Sequence, residues 1–395
     1  MDILDRIHNV QKLLKEHHID GWLIYDFHKS NELLYDFLCV PKHAHLTRRF
    51  FYWIPAEGQP KQLIHVLDSH VMDHLPGEKL LYMKWHSLRS DLEKILKGAK
   101  TVAMEYSPLG MNPYISKVDA GTVELIRELG VEVISSGPFL QHFTCLWSPF
   151  QYQTHIEAAK FLEKLIQDGL LQIKMALEEG RHIDEYCLQQ WILRQMEKNK
   201  FVTEGEPIVA VNGNSGSPHY CPTKESSSPI RKGDFILLDV WCKKDVGGAV
   251  FADLTHVAVA SQKPSPLQKE IFSIVREAQE AATEFVKMRF ANNQVVKGFE
   301  VDEVCRRVIQ EKGYGEQFIH RTGHNLHIHN HGPGASLDSL EILDERPLLP
   351  RTCFTIEPGI YLKEFGVRLE YDVYISEKGE IEITSQPQEK IQCLF

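Results

Sequence analysis

Apolar and polar positions follow two different periods along residues 1–136, and together they predict a layered α/β unit. Near the start, Ile7, Val10, Leu13 and Leu14 have the spacing of one helix face. Apolar runs typical of strands follow in GWLIY, RRFFYWIP, KQLIHVL, TVAME and VEVIS, and the helical patterns SDLEKIL and GTVELIRELG lie among them. We therefore expect a mixed sheet covered by helices in this part of the chain.

The periodicity lapses between residues 137 and 153, and we place a domain boundary at residue 150. A long helix is predicted from about His155, with Ala159, Leu162 and Ile166 on its apolar face, and a second helix from about Ile183. Strands are then predicted at 206–211, 235–242, 251–260, 353–357 and 367–375, and helices at 266–288 and 301–312. Because helices and strands are segregated here, residues 151–395 favour an α+β domain.

Composition excludes several classes of partner. The chain has 395 residues, of which 43% are hydrophobic, so two domains with sizeable cores can form. A net charge of -10 without a basic stripe argues against nucleic acid, and no apolar run is long enough for a membrane span. The eight cysteines form no CxxC pair, and the charged N-terminal pattern is unlike a signal peptide. We expect a cytoplasmic protein.

Four acidic residues and one histidine in the second half are candidate metal ligands. Each lies beside apolar or β-favouring residues: Asp239, Asp253, His324, Glu357 and Glu370. Burying so many acids is costly unless cations compensate them, and a pair of divalent metal ions would do so. A ligand set of four carboxylates and one imidazole suits manganese or cobalt better than a tetrahedral Cys/His zinc site.

The local pattern predicts how some of these side chains meet. Asp239 ends an apolar strand and Asp253 begins the next one, so a hairpin can place both carboxylates on one face. Arg368, Glu370 and Asp372 alternate along a predicted strand and should share a face. A single acid at a strand end is more often solvated, so the prediction rests on the whole ordered set.

The order of the five residues resembles that of the pita-bread metallopeptidases, specifically the aminopeptidase P/prolidase branch. The resemblance covers nearly the whole chain and implies a creatinase-like N-terminal α/β domain in residues 1–150. A pita-bread catalytic domain is implied for residues 151–395. It also implies that Asp239, Asp253, His324, Glu357 and Glu370 hold two divalent metal ions, with manganese favoured and cobalt or zinc as alternatives.

The same resemblance implies roles for residues around the metals. Glu357 would also act as general base, and His219 and His331 would bind substrate and stabilise the tetrahedral intermediate. Arg368 would orient a carboxylate ligand, and Tyr361 would add a hydrogen bond from outside the ligand set.

Two further histidines are candidates for substrate binding. His320 lies near a position that the aminopeptidase P branch uses. His327 departs from the family, which commonly has glycine there, and its imidazole would narrow the pocket.

The activity implied is hydrolysis of the peptide bond before proline. Either an N-terminal residue would be released from a longer peptide or an Xaa-Pro dipeptide would be split, and the enzyme would be a homodimer. Two alternatives remain: a metal-independent creatinase-like amidinohydrolase and a catalytically inactive binding module of the same fold. Retention of all five ligand positions argues against both.

Overall fold

The structure is a computed structural model that describes residues 2–35, 37–41 and 43–395. The chain divides into two compact units, Met1–Thr144 and Cys145–Phe395, whereas the sequence placed the boundary at residue 150. None of the helices in the described residues combines the length and apolar character needed to cross a bilayer.

The described part of the first unit is built on a six-stranded sheet with the strand order β4-β3-β2-β1-β5-β6. Its strands are β1 (Gly21–Asp26), β2 (Phe50–Pro55), β3 (Lys61–His65), β4 (Glu78–Tyr82), β5 (Thr101–Met104) and β6 (Glu132–Ser135). Its helices are α1 (Ile3–Glu16), α2 (Trp85–Ile95), α3 (Ala120–Glu128) and α4 (Gly137–Thr144). Since β1 is antiparallel to β2 and parallel to β5, the predicted mixed sheet is confirmed.

Successive side chains of β1 point to opposite faces of the sheet, and apolar residues lie on both faces, so both faces are covered. Trp22 and Ile24 belong to one buried apolar cluster, and Leu23 and Tyr25 belong to another. The edge strand β4 was not predicted, because its EKLLY sequence lacks a clear alternation of apolar and polar residues.

The described part of the second unit contains short sheets packed with long helices. Its helices are α5 (Pro149–Glu178), α6 (Glu185–Lys198), α7 (Pro266–Ala291) and α8 (Gly298–Glu311). Its strands are β7 (Phe201–Val202), β8 (Ile208–Val211), β9 (Phe235–Lys244), β10 (Ala252–Val259), β11 (Asn325–Leu326), β12 (Cys353–Ile356), β13 (Gly359–Tyr361), β14 (Gly366–Arg368), β15 (Tyr371–Ile375), β16 (Ile381–Ile383) and β17 (Gln392–Cys393). The predicted α+β class is confirmed.

Three sheets position the chemistry in this unit. One has the order β17-β10-β9-β7, with β8 also paired to β9, and the second has the order β11-β12-β15-β16. The third is the β13–β14 hairpin. Helix α5 packs against β9 and β10, and one large apolar cluster joins the four helices to the strands.

The structure corrects the start of α5. The helix begins at Pro149 rather than near His155, because the Ser148 side chain accepts a hydrogen bond from the Gln151 N–H and the Gln151 side chain caps in return. Helix α4 also occupies part of the stretch in which no periodicity was recognised.

The predicted strand at 367–375 is two strands. Strand β14 pairs with β13, and β15 pairs with β12. The break falls at Leu369 and Glu370, where the Glu370 N–H donates to the Thr255 carbonyl oxygen. This interruption turns the chain from one sheet to another at the position of a candidate ligand.

Candidate metal centre

The β9–β10 hairpin places two candidate ligands on one face. Asp239 lies opposite Thr255 in the antiparallel register, and Asp253 lies opposite Trp241. Because side chains alternate along a strand, Asp239, Asp253 and Thr255 all project to the same side. Asp239 and Asp253 are buried there.

Three side chains from different parts of the fold converge on one point. Asp253 on β10, His324 just before β11 and Glu370 between β14 and β15 each offer a ligand atom, and these atoms lie within 4.8 Å of one another. All three residues are buried. Two carboxylates and an imidazole at this spacing can share a divalent cation.

Glu357 adjoins this cluster from the end of β12. Its Oε1 lies 3.4 Å from His324 Nε2, which is 3.7 Å from Asp253 Oδ2. The Thr355 hydroxyl donates to Glu357 Oε1 at 3.2 Å and accepts from the His324 N–H at 3.0 Å. The side chain of Thr355 therefore fixes the base candidate and the histidine together.

Asp239 is joined to the cluster through Arg368. The Arg368 guanidinium contacts Asp239 Oδ2, and its Nε donates to the Thr255 hydroxyl at 3.2 Å. That hydroxyl in turn donates to Glu370 Oε2 at 2.6 Å. Arg368 and Thr255 therefore hold two candidate ligands in a common hydrogen-bonded network.

Tyr361 and His320 extend this network outwards. Arg368 Nη1 donates to the Tyr361 hydroxyl at 3.0 Å, so that hydroxyl can donate its own proton to His320 Nε2 at 2.7 Å. His320 Nδ1 then donates to the Arg321 carbonyl oxygen at 2.7 Å. Burial, with the Arg368 charge adding to it, lowers the pKa of His320 to about 3, so the ring is neutral in this arrangement.

Sequence reasoning missed two contacts to Asp253. Asn330 Nδ2 donates to Asp253 Oδ2 at 2.8 Å, and Asp372 Oδ2 accepts from the Asp253 N–H at 3.0 Å. Sequence spacing could have suggested Thr255 and Thr355 as neighbours of the candidate ligands. Each lies two residues from an acid, Asp253 or Glu357, and so on the same face of a strand. No local signal marks Asn330, because its partner is far away in sequence.

Burial dominates the electrostatics of the acids. It raises the pKa of Asp253 and of Glu370 well above the ordinary value, and the neighbouring carboxylates raise both further. It also raises the pKa of Glu357 to about 7, against the opposing effect of the Arg368 and Arg321 charges. These shifts express the cost of bringing several negative charges together in the protein interior.

His324 has the protonation state that a metal ligand needs. Burial, together with the nearby His331, lowers its pKa well below the ordinary value, so its ring is neutral. Its Nδ1 faces the Asn325 carbonyl oxygen at 3.4 Å, which leaves Nε2 directed towards the carboxylates.

The donor set fits divalent metal ions. Asp239 Oδ1 and Asp253 Oδ1 are buried and have no hydrogen-bond partner among the described residues. Buried carboxylate oxygens without a donor are costly, and a bound cation would satisfy them.

The remaining candidate histidines differ in how close they lie to the cluster. The His331 ring meets the His324 ring edge-on with 4.3 Å between centroids, while its side chain remains exposed. Partial desolvation lowers the pKa of His331, and the charges of Arg321 and His219 add to this effect. His219 itself is exposed.

The His327 side chain lies beside Gln151. Its Nε2 lies 3.5 Å from Gln151 Nε2, and its carbonyl oxygen accepts from the Phe251 N–H at 2.9 Å. The predicted narrowing of the pocket by His327 stays a prediction. His329, interpreted from the sequence as a solvated residue, is exposed and pairs with Glu204 at 2.7 Å.

Comparison with solved structures defines the class. The prolidase of Thermococcus sibiricus is 25% identical over 100% of this chain and 99% of its own, with a TM-score of 0.63. The Xaa-Pro dipeptidase of Bacillus anthracis, at 21% identity, covers 99% of this chain and 100% of its own with a TM-score of 0.64, which shows the fold alone. The fold and the buried acid–histidine cluster are those of a metallopeptidase with the pita-bread fold.

The family follows from the sequence comparisons. Residues 155–377, more than half of the chain, match the model described as Metallopeptidase family M24. The Xaa-Pro dipeptidase of Lactobacillus delbrueckii subsp. lactis is 30% identical over 325 residues, covering 81% of this chain and 79% of that enzyme. The Xaa-Pro dipeptidase of Pyrococcus furiosus is 31% identical over 244 residues, but the match spans only 63% of its length. The chain therefore belongs to metallopeptidase family M24.

Proposed function

We propose that this protein hydrolyses the peptide bond before proline, either in Xaa-Pro dipeptides or at the N-terminus of longer Xaa-Pro peptides. The convergence of Asp253, His324 and Glu370 within 4.8 Å is the observation that carries the proposal. The proline preference is supported by the names of the relatives from Lactobacillus and Pyrococcus.

The metal site in this proposal holds two divalent ions. Asp253, His324 and Glu370 would form its centre, and Asp239 and Glu357 would complete it. Two orphaned carboxylate oxygens support more than one cation, and the oxygen-rich set favours manganese over cobalt or zinc. Bound metal ions supply a nucleophile at neutral pH and polarise the scissile carbonyl group.

Glu357 is the proposed general base. A carboxylate held beside the metal ions can accept a proton from the attacking water and release it again in the same cycle. The leaving nitrogen must receive a proton when the peptide bond breaks, because it would otherwise depart as an unstable amide anion. The Thr355 hydroxyl holds Glu357 beside His324 for this transfer.

The remaining candidate residues would bind the substrate or hold the proposed ligands in position. His331, edge-on to His324, would donate a hydrogen bond to the substrate, and His219 would approach the substrate from the solvent side. Arg368, Tyr361 and His320 would hold Asp239 in place through their hydrogen-bonded chain. His327 would limit the width of the pocket.

The proposal also covers the domains, the oligomeric state and the location of the enzyme. We assign residues 1–150 as a creatinase-like domain and residues 151–395 as the catalytic domain, and we expect a homodimer. Cytoplasmic location is supported by the cysteine pattern of the sequence, in which eight scattered cysteines form no CxxC pair. A metal-independent amidinohydrolase or an inactive binding module would have no need of the full ligand set.

Metal analysis tests the central claim. After reconstitution with manganese, the purified protein should hold about two ions per chain and cleave Xaa-Pro substrates, but not matched Xaa-Ala substrates. Asp253→Asn should lose both metal and activity. The exposed Asp245→Asn, from the loop of the same hairpin, is the matched control and should retain both.

Two outcomes would contradict parts of the proposal. Less than one ion per chain, with Glu357→Gln behaving like the wild type, would favour the inactive binding module. Equal cleavage of Xaa-Pro and Xaa-Ala substrates would remove the proline preference and leave the metallopeptidase activity standing.

A further inference from the structure

A glutamine on helix α7 connects the backbone segments that carry two of the proposed metal ligands. Gln279 lies at a buried position of α7, with 3% of its surface exposed. Its Nε2 donates to the Ile356 carbonyl oxygen at 2.8 Å and to the Leu369 carbonyl oxygen at 2.9 Å. Ile356 directly precedes Glu357, and Leu369 directly precedes Glu370. One side chain therefore joins the backbone beside both proposed glutamate ligands.

The Leu369 carbonyl group lies where strand pairing is interrupted. Leu369 falls in the break between β14 and β15, and its own N–H donates to the Pro358 carbonyl oxygen at 3.3 Å. Ile356 and Leu369 are both buried, so their carbonyl groups depend on protein donors rather than on bulk water. A glutamine amide has two N–H groups, so Gln279 can hold the two carbonyl oxygens at a fixed separation.

The next turn of α7 contacts the residue on the other side of Glu370. The Thr283 hydroxyl donates to the Gln279 carbonyl oxygen at 3.0 Å and lies 2.7 Å from the Tyr371 hydroxyl oxygen. Tyr371 directly follows Glu370. Helix α7 therefore forms hydrogen bonds with the residues on both sides of this proposed ligand.

We propose that Gln279 is a positioning residue for the metal centre, because its amide fixes the distance between the backbones at Glu357 and Glu370. This inference rests on the metal site of the proposed function. The two hydrogen bonds go to backbone carbonyl groups, so Gln279 acts through the chain and not on an ion. Two carboxylates that bind the same metal centre need their oxygens at a set spacing, so a small shift of either backbone should lower metal affinity.

A purely structural role is the alternative, and a second glutamine separates the two roles. A buried amide that satisfies carbonyl groups stabilises the fold whether or not a metal ion binds. Gln189 on α6 is fully buried, and its amide donates to the Pro207 carbonyl oxygen at 2.9 Å. Pro207 is not adjacent in sequence to a proposed ligand. Gln189 is therefore the matched control for Gln279.

Manganese titration of the metal-free, full-length protein by calorimetry tests the proposal. Gln279→Met keeps a side chain of similar length and removes both N–H groups, so it should raise the Kd for manganese by about 10- to 100-fold. Gln189→Met makes the same replacement and should leave the Kd unchanged. In urea unfolding of the metal-free proteins, both variants should have a lower midpoint than the wild type, because each leaves a buried carbonyl group without its donor.

A second variant serves if Gln279→Met does not fold. Gln279→Asn keeps the amide on a side chain that is one methylene shorter. The hydrogen bonds to Ile356 and Leu369 cannot both form in this variant unless the backbone moves, so its Kd for manganese should also rise.

Three outcomes would contradict the proposal or its basis. Wild-type manganese affinity in either Gln279 variant would overturn the inference, since the amide would then stabilise the fold without affecting the metal centre. An equal loss of affinity in Gln279→Met and Gln189→Met would also overturn it, because the effect would follow from lost stability. Absence of manganese binding by the wild type would instead refute the metal site of the proposed function.

Discussion

At the scale of single residues, the candidate metal centre contains side chains that hold the proposed ligands in position. Thr255 is the clearest case, because one hydroxyl accepts from Arg368 and donates to Glu370. Its position two residues after Asp253 puts it on the ligand face of β10. Residues that orient ligands in this way commonly contribute 10- to 100-fold to metal affinity.

We therefore predict that Thr255→Val weakens manganese binding by about 10- to 100-fold, because Glu370 and Arg368 both lose their hydroxyl partner. Thr255→Ser keeps the hydroxyl and should bind metal almost as well as the wild type. Titration of the metal-free protein with manganese, followed by calorimetry, measures both. Equal affinities for the Val and Ser variants would show that the hydroxyl has no role.

Part of this residue-scale picture was accessible from the sequence. The period of two along β10 and β12 places Asp253 and Glu357 on defined faces, and the family resemblance supplies the rest of the ligand set. Asn330 could not be recognised in the same way. Its importance comes from a partner that is distant in sequence, Asp253, and only a folded structure reveals that contact.

At the scale of elements, boundaries were the main differences between expectation and structure. Helix α5 starts earlier than its apolar period suggested, because capping at Ser148 and a proline at the first turn begin the helix before its buried face starts. The strand predicted at 367–375 is broken because Glu370 turns towards β10, which a run of alternating residues does not reveal.

The α5 cap gives a stability prediction. Ser148→Ala removes the acceptor for the Gln151 N–H and should lower the unfolding free energy of the second unit by about 1 kcal/mol. The matched control is Ser273→Ala, because Ser273 is exposed to solvent and lies away from both ends of α7. This change should alter the unfolding free energy by less than about 0.5 kcal/mol. Urea unfolding measures both variants, and equal values would mean that the cap contributes nothing.

At the scale of the whole molecule, each unit has its own core, and the first unit buries an acid with no part in the metal centre. Glu105 is fully buried and accepts hydrogen bonds from Trp22 Nε1 at 2.6 Å, Asn31 Nδ2 at 2.8 Å and the Ser136 hydroxyl at 3.0 Å. Burial outweighs these hydrogen bonds and raises the pKa of Glu105 from 4.5 to about 7. The stability of this unit should therefore depend on pH independently of metal.

The direction of that dependence follows from proton binding. Between pH 4.5 and 7 the folded state keeps the Glu105 proton that the unfolded state has lost, so stability falls as pH rises through this window and is constant beyond it. The loss amounts to about 3 kcal/mol, and Glu105→Gln should abolish it because the amide does not titrate.

Hydrogen exchange of the β1 and β5 amides at pH 5 and pH 8 measures the opening free energy within this unit. Glu132→Gln, an exposed acid at the start of β6, is the control and should keep the wild-type dependence. If Glu105→Gln and the wild type lose the same stability over this range, the carboxyl group remains ionised in the folded protein, and its three hydrogen bonds outweigh its burial.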